Sequence, residues 1–257
     1  MLLLIPIFIL GLAVGSFLNV LVFRLNTGKS LLFGRSLCLS CKTTLNWYEL
    51  LPVVSFCWQR GRCVHCGAII SFQYPLLELM SGVVFALAFL KFGLSLKLLI
   101  YILVSSIFLA ITAYDLRHKI IPNQLIYPAI VLGLISQIVA TLAVTSSFGG
   151  WTANAPNLLA GPIFFSFFAL LWLVSDGKWM GFGDAKLVLA IGWLLGLSAG
   201  FAALLYGFWA GALVGIALLF VRRPYFTMKQ EIPFAPFLIF GFFLASFLPW
   251  NIIFLLF

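Results

Sequence analysis

The sequence predicts an all-α fold: a polytopic membrane helical bundle of about eight transmembrane helices, with a small zinc-ribbon-like insertion after the first. Three observations predict it. Hydrophobic residues make up 64% of the 257-residue chain and charged residues only 8%, and mean hydropathy is +1.19, values far from those of a soluble domain. The apolar residues gather into runs close to the length that crosses a bilayer, about 17–25 residues. The basic residues fall in the short loops between those runs. If residues 24–74 face the cytoplasm, 13 of the 15 Lys and Arg lie on that side and only Lys91 and Lys97 on the other, which is the asymmetry that orients membrane proteins. Both termini then face outward. The net charge of +9 does not indicate nucleic acid, because no basic helix or soluble aromatic platform accompanies it.

The runs read near 1–23, 75–92, 97–114, 124–144, 157–175, 184–198, 200–221 and 235–256. The first lacks the basic start and small-residue cleavage site of a signal peptide, so it is expected to remain as a membrane helix. Within it, Gly11 and Gly15 have the small-xxx-small spacing of close helix packing. Asn19 is deep enough to need an interhelical partner, or to touch substrate backbone.

The 24–74 segment is the one sizeable polar insertion and carries all five cysteines. Cys38 and Cys41 form one C-x-x-C pair, Cys63 and Cys66 another, and residues 42–62, 21 in all, separate them. Two such pairs fit a four-thiolate zinc ribbon at slightly long spacing. So short a loop cannot build a large core, and a metal would supply the missing folding free energy. Disulfides or free thiols are the alternatives, and a cytoplasmic location disfavours disulfides. Cys57, in Phe56-Cys57-Trp58, is expected to be small core filler. His65 is a weaker rival ligand, since four thiolates already close the site. After the loop, Pro75 suits the first turn of a helix and Glu78 its N-terminal dipole, next to the insertion.

The chain holds six acids: Glu49, Glu78, Asp115, Asp176, Asp184 and Glu231. An acid at the edge of an apolar run carries a desolvation cost of several kcal/mol unless it is solvated, paired or protonated. Asp115 closes the third run, before Pro122 and Asn123 open the fourth, and its plain role is a boundary charge neutralised by Arg117 or Lys119. Asp184 follows Gly181-Phe182-Gly183, where Asp is a favoured helix N-cap. Asp176 lies in a polar turn with Lys178 and reads as a solvated charge. Glu231 precedes Ile232-Pro233-Phe234-Ala235-Pro236 and reads as a boundary residue.

Topology places Asp115 and Asp184, 69 positions apart (184 minus 115), at one depth on one face. Two carboxylates within a few ångströms do not both ionise, so one holds a proton while the other takes one from water. That pair suits metal-free hydrolysis of a peptide bond. Gly181 and Gly183 would let an extended strand approach the backbone.

Together these stretches resemble the type IV prepilin peptidases, bacterial membrane aspartic proteases of the GxGD type. The resemblance is carried by Gly15-Ser16-Phe17-Leu18-Asn19-Val20 with Arg24, the four paired cysteines, Arg60-Gly61-Arg62-Cys63 and Tyr74-Pro75 with Glu78. It continues through Asp115 with Ile121-Pro122-Asn123, Gly181-Phe182-Gly183-Asp184-Ala185-Lys186 and Ile232-Pro233-Phe234. It implies catalysis by Asp115 and Asp184, and cleavage of a short basic leader after glycine on prepilins or pseudopilins of type IV pilus and type II secretion systems. Gly181, Gly183, Lys186, Asn19 and Glu78 are the supporting residues it brings forward. It also implies methylation of the new N-terminus from S-adenosylmethionine, although no Gly-rich nucleotide fingerprint is present. The implied location is the bacterial inner membrane, in lipid, with the site facing the cytoplasm. The organisation would be a first helix over 1–23, a zinc-binding loop over 24–74 and a protease core over 75–257. Ala235 departs from the family's glycine, and Ser40 from the proline before the second cysteine. Two rival functions are a protease whose loop merely clamps the leader, and a transporter or assembly scaffold with the acids as a proton relay.

Overall fold

A backbone in lipid must satisfy its own polar groups, which leaves helices as the solution for runs this apolar. The computed structural model describes residues 2–28, 30, 34–144, 150–221 and 233–248. Its helices are α1 (Leu4–Arg24), α2 (Val54–Trp58), α3 (Gln73–Phe92), α4 (Leu96–His118), α5 (Asn123–Val144), α6 (Gly150–Val174), α7 (Phe182–Val221) and α8 (Ala235–Phe247), with a 3-10 turn over Trp47–Leu50. Among the described residues there is no strand, only two isolated antiparallel bridges in the cysteine loop. Six helices are long and apolar enough to cross a membrane, and α8 is a shorter apolar one. The rest of the expected 235–256 run lies outside the described residues.

The chain forms two compact units, Met1–Ala113 and Tyr114–Phe257. In the first, α1 lies on α3 with no room for side chains at the crossing. A Cβ on Gly11 would come 2.7 Å from the Ser81 carbonyl oxygen, and one on Gly15 would come 2.6 Å from the Glu78 Cα. The small-xxx-small spacing is therefore a packing device, as expected.

In the second unit, the runs expected at 184–198 and 200–221 form one continuous element. Helix α7 has 40 residues, about 60 Å if straight, twice the thickness of the hydrocarbon layer. The break comes at Gly196, whose φ of 76° and ψ of −173° are not helical. Residues on both sides of it face the same stretch of α6: Gly192 meets Gly161, and Gly200 meets Phe164. The chain therefore doubles back there, and α7 is two spans. Side chains satisfy the groups freed by the break. Asn157 Oδ1 accepts the Leu197 N–H at 3.2 Å, and Gln137 Nε2 donates to the Trp193 carbonyl.

Candidate active site

Asp115 lies at the end of α4 and Asp184 in the first turn of α7, both within the second unit. They are 4% and 8% exposed, so neither is the solvated boundary charge that a lone acid would prefer to be. The backbone N–H of Ala235 lies within electrostatic reach of the Asp115 carboxylate, and that of Gly181 within reach of Asp184. Asp184 also lies within electrostatic reach of Asp115.

Local folding explains both contacts. Helix α7 begins at Phe182, which makes Asp184 its third residue rather than the expected N-cap. The carboxylate turns back towards Gly181, the residue before the helix, on the side where the acid of a capping box stands. Ala235 is the first residue of α8, whose leading N–H groups have no partner inside the helix. The one on Ala235 lies within electrostatic reach of Asp115. The Ala235 backbone is thus part of the site, and sequence reading missed it because a backbone donor has no side-chain signature. Pro233 and Pro236, which fix the entry into α8, were the available signal. Glu231 and Ile232 lie outside the described residues.

Lys186 is held on the outer face of this region. Its Nζ donates to Asn123 Oδ1 at 2.8 Å and to the Tyr127 hydroxyl at 3.3 Å, with the Tyr127 and Phe182 rings 5.1 and 5.2 Å away. Neutral acceptors and aromatic faces hold this ammonium, and among the described residues no acid pairs with it. Asp176 is exposed at a φ of 49°, a solvated turn residue as expected.

The first unit gathers the four paired cysteines. The Sγ atoms of Cys38, Cys41, Cys63 and Cys66 all lie within 4.8 Å of one another, and Cys38 and Cys66 are 3.9 Å apart. Four thiolates about 2.3 Å from a zinc ion at tetrahedral angles would stand about 3.8 Å apart, so the donor set fits zinc. The two halves fold alike. Lys42 N–H bonds to Cys38 O and Gly67 N–H to Cys63 O, while Leu37 bridges Thr44 and Arg62 bridges Ile69. The hydroxyl and backbone of Thr43 bond to the Cys41 sulfur and lower its pKa to about 6, favouring the thiolate a metal needs.

His65 is turned from this cluster to Glu49, with Nε2 to Oε1 at 3.2 Å. Cys57 is exposed, correcting the expectation that it fills a core: α2 has five residues and buries none of them. Glu78 is also corrected. It stands at the sixth position of α3, beyond the helix-dipole turn, and its Oε2 accepts the Val53 N–H at 2.7 Å. Val53, a β-branched residue at a φ of 60°, is thereby fixed to α3. Asn19 finds the partner it needed, donating to the Tyr74 carbonyl at 3.2 Å.

A hollow of ≈430 Å³ opens beside the cysteine cluster, lined by Phe56, Arg60, Gly61, Arg62, Ile69, Ile70, Ser71 and Phe72. Two guanidiniums and no acid line it, so it does not fit a donor that carries a sulfonium cation.

Comparison with known proteins points to one family. Residues 9–92 match the bacterial peptidase A24 N-terminal domain, and residues 102–216 match the type IV leader peptidase family. A Bacillus subtilis protein called prepilin leader peptidase/N-methyltransferase is 34% identical over 90% of this chain and 88% of its own length. Proteins of the same name from Burkholderia pseudomallei (33%, covering 91% and 81%) and Pseudomonas putida (30%, covering 90% and 85%) are similar to it. No solved structure matches the chain. With apolar helices of bilayer length, two buried aspartates in one unit and relatives matched over most of their length, the chain belongs to the type IV leader peptidase family.

Proposed function

We propose that this protein is an inner-membrane aspartic endopeptidase that removes the leader from prepilins or pseudopilins, with Asp115 and Asp184 as its catalytic pair. The observation that carries the assignment is the burial of both aspartates within electrostatic reach of each other. A carboxylate has about four lone-pair sites, which leaves oxygen on each acid for water or substrate.

In the proposed reaction the ionised carboxylate takes a proton from water as its oxygen attacks the scissile carbonyl carbon, and the protonated partner donates to the carbonyl oxygen. The tetrahedral intermediate then collapses. The C–N bond breaks, the nitrogen leaves with a proton returned by the carboxyl that had accepted it, and a hydroxyl of the intermediate gives its proton back to the other acid as the new carboxyl group forms. A membrane-buried peptide is helical, with its carbonyls already bonded, so cleavage suits the cytoplasmic boundary, where the substrate unwinds and water enters.

The relatives' name adds methylation of the new N-terminus. We extend that activity to this chain without assigning it residues, since the arginine-lined hollow does not suit the donor. Cys38, Cys41, Cys63 and Cys66 would hold a structural zinc in the 24–74 loop, and the core from 75 to 257 would carry the protease. Lys186, Gly181, Gly183, Asn19 and Glu78 support this arrangement.

Asp115→Asn and Asp184→Asn should each reduce cleavage of a prepilin in detergent by about 10²-fold or more, with thermal unfolding little changed. Mass spectrometry of the product N-terminus reads both cleavage and methylation. Cleavage near the wild-type rate in either variant would sink the paired-acid mechanism.

A further inference from the structure

The hollow beside the cysteine cluster lies at the point where the chain re-enters the apolar phase. Ser71 and Phe72 line it, and α3, a helix long enough to span a membrane, begins at the next residue, Gln73. Its walls are of two kinds. Phe56 and Phe72 meet edge to face with ring centroids 6.0 Å apart, and Phe72 and Ile69 are 68% and 82% exposed. Arg60 and Arg62 supply two exposed guanidiniums with no acid in the lining.

The turn that carries the arginines is built in a costly conformation. Arg60 and Gly61 are both left-handed, with φ of 49° and 68°, closed by the Arg62 N–H to the Gln59 carbonyl at 3.0 Å. Gly61 lies over Phe56, where a Cβ would come 3.2 Å from the ring. A non-glycine residue in this region costs about 1–2 kcal/mol, which the surrounding contacts must offset to hold Arg60 there. Exposed large apolar side chains beside paired cations, at the start of a spanning helix, form the combination that binds the headgroup layer of an anionic membrane.

We propose that this hollow is an anionic phospholipid site, in which Arg60 and Arg62 hold a headgroup phosphate while Phe56, Ile69 and Phe72 lie against the upper acyl chains. Charge selects this occupant. A basic leader peptide and a sulfonium donor are both repelled by two uncompensated guanidiniums, whereas a phosphodiester is attracted and its glycerol and acyl region matches the apolar wall. The site would seat the cysteine loop on the bilayer surface.

The test uses the full-length, zinc-loaded protein in detergent. Phosphatidylglycerol, phosphatidylcholine and inorganic phosphate are titrated separately, and retained ligand is counted by native mass spectrometry. The wild type should retain one more phosphatidylglycerol than an Arg60→Gln/Arg62→Gln double variant, with roughly 30-fold weaker binding in the variant, each surface cation taken at its usual worth. Phosphatidylcholine should be retained poorly by both proteins. A zinc content of one equivalent checks that the variant loop is folded, and Arg60→Lys/Arg62→Lys should keep most of the binding if it does not. Equal phosphatidylglycerol retention in wild type and folded variant would overturn the proposal, as would equal retention of phosphatidylcholine. Complete displacement by millimolar inorganic phosphate would overturn it too, by assigning the hollow to a free anion.

Discussion

Gly181 and Gly183 flank one residue, Phe182, and differ in what stands opposite them. A Cβ added at Gly183 would come 3.0 Å from Ile121 Cβ and 3.3 Å from its Cγ1 and Cδ1, whereas one at Gly181 would meet nothing closer than 3.7 Å. Gly183 is therefore set by packing and Gly181 has room to spare, so the two separate a structural role from a substrate one. Gly183→Ala should lower stability by about 1–2 kcal/mol, the overpacking cost less the gain in helix propensity, and Ile121→Ala should recover part of the loss in thermal unfolding. Gly181→Ala should leave unfolding unchanged to within about 0.5 kcal/mol. If an extended substrate does approach there, that variant raises KM for leader cleavage. Sequence reading located Asp115 and Asp184 because an acid beside an apolar run is conspicuous by its cost. It could not see the Ala235 N–H, which any residue could donate, nor the exposure of Cys57, which depends on how little a five-residue helix buries.

The two cysteine knuckles share one pattern of backbone hydrogen bonds and bridges, and differ in the residue that ends each. The residue after each second cysteine adopts a positive φ, 61° at Lys42 and 70° at Gly67. The second position holds glycine, which takes this conformation freely. The first holds lysine, and the left-handed backbone costs it about 1 kcal/mol. Lys42→Gly should thus strengthen the loop by about that amount, seen as a higher chelator concentration needed to strip zinc. An unchanged midpoint would mean that the Lys42 side chain contributes a compensating contact. The C-x-x-C spacing made these turns legible in advance, since the motif is local. Helix α7 was legible as two spans for a different reason: no bilayer accommodates 40 residues in one pass. The place of the break was misjudged by a few residues because it is set by partners from other helices. Asn157 caps Leu197 and Gln137 takes the Trp193 carbonyl, and neither contact can be read from α7 alone.

At the scale of the whole chain, the distribution of charge carries the orientation. Thirteen basic residues against two would, by the positive-inside rule, put the cysteine loop, Asp115 and Asp184 on the cytoplasmic side, and the same assignment would keep the thiols in a reducing compartment. The loop itself offers the probe. Cys57 is exposed and stands apart from the clustered sulfurs of Cys38, Cys41, Cys63 and Cys66, which bound zinc would protect from alkylation. A membrane-impermeant maleimide should therefore label wild-type protein once in inverted inner-membrane vesicles, and not at all in intact spheroplasts. Cys57→Ser should abolish the label, and a strong chelator should add up to four further labels as the metal leaves. Labelling from the outer face of intact spheroplasts would reverse the topology. It would move the acids away from the compartment where leaders are presented, and with them the leader-cleaving assignment.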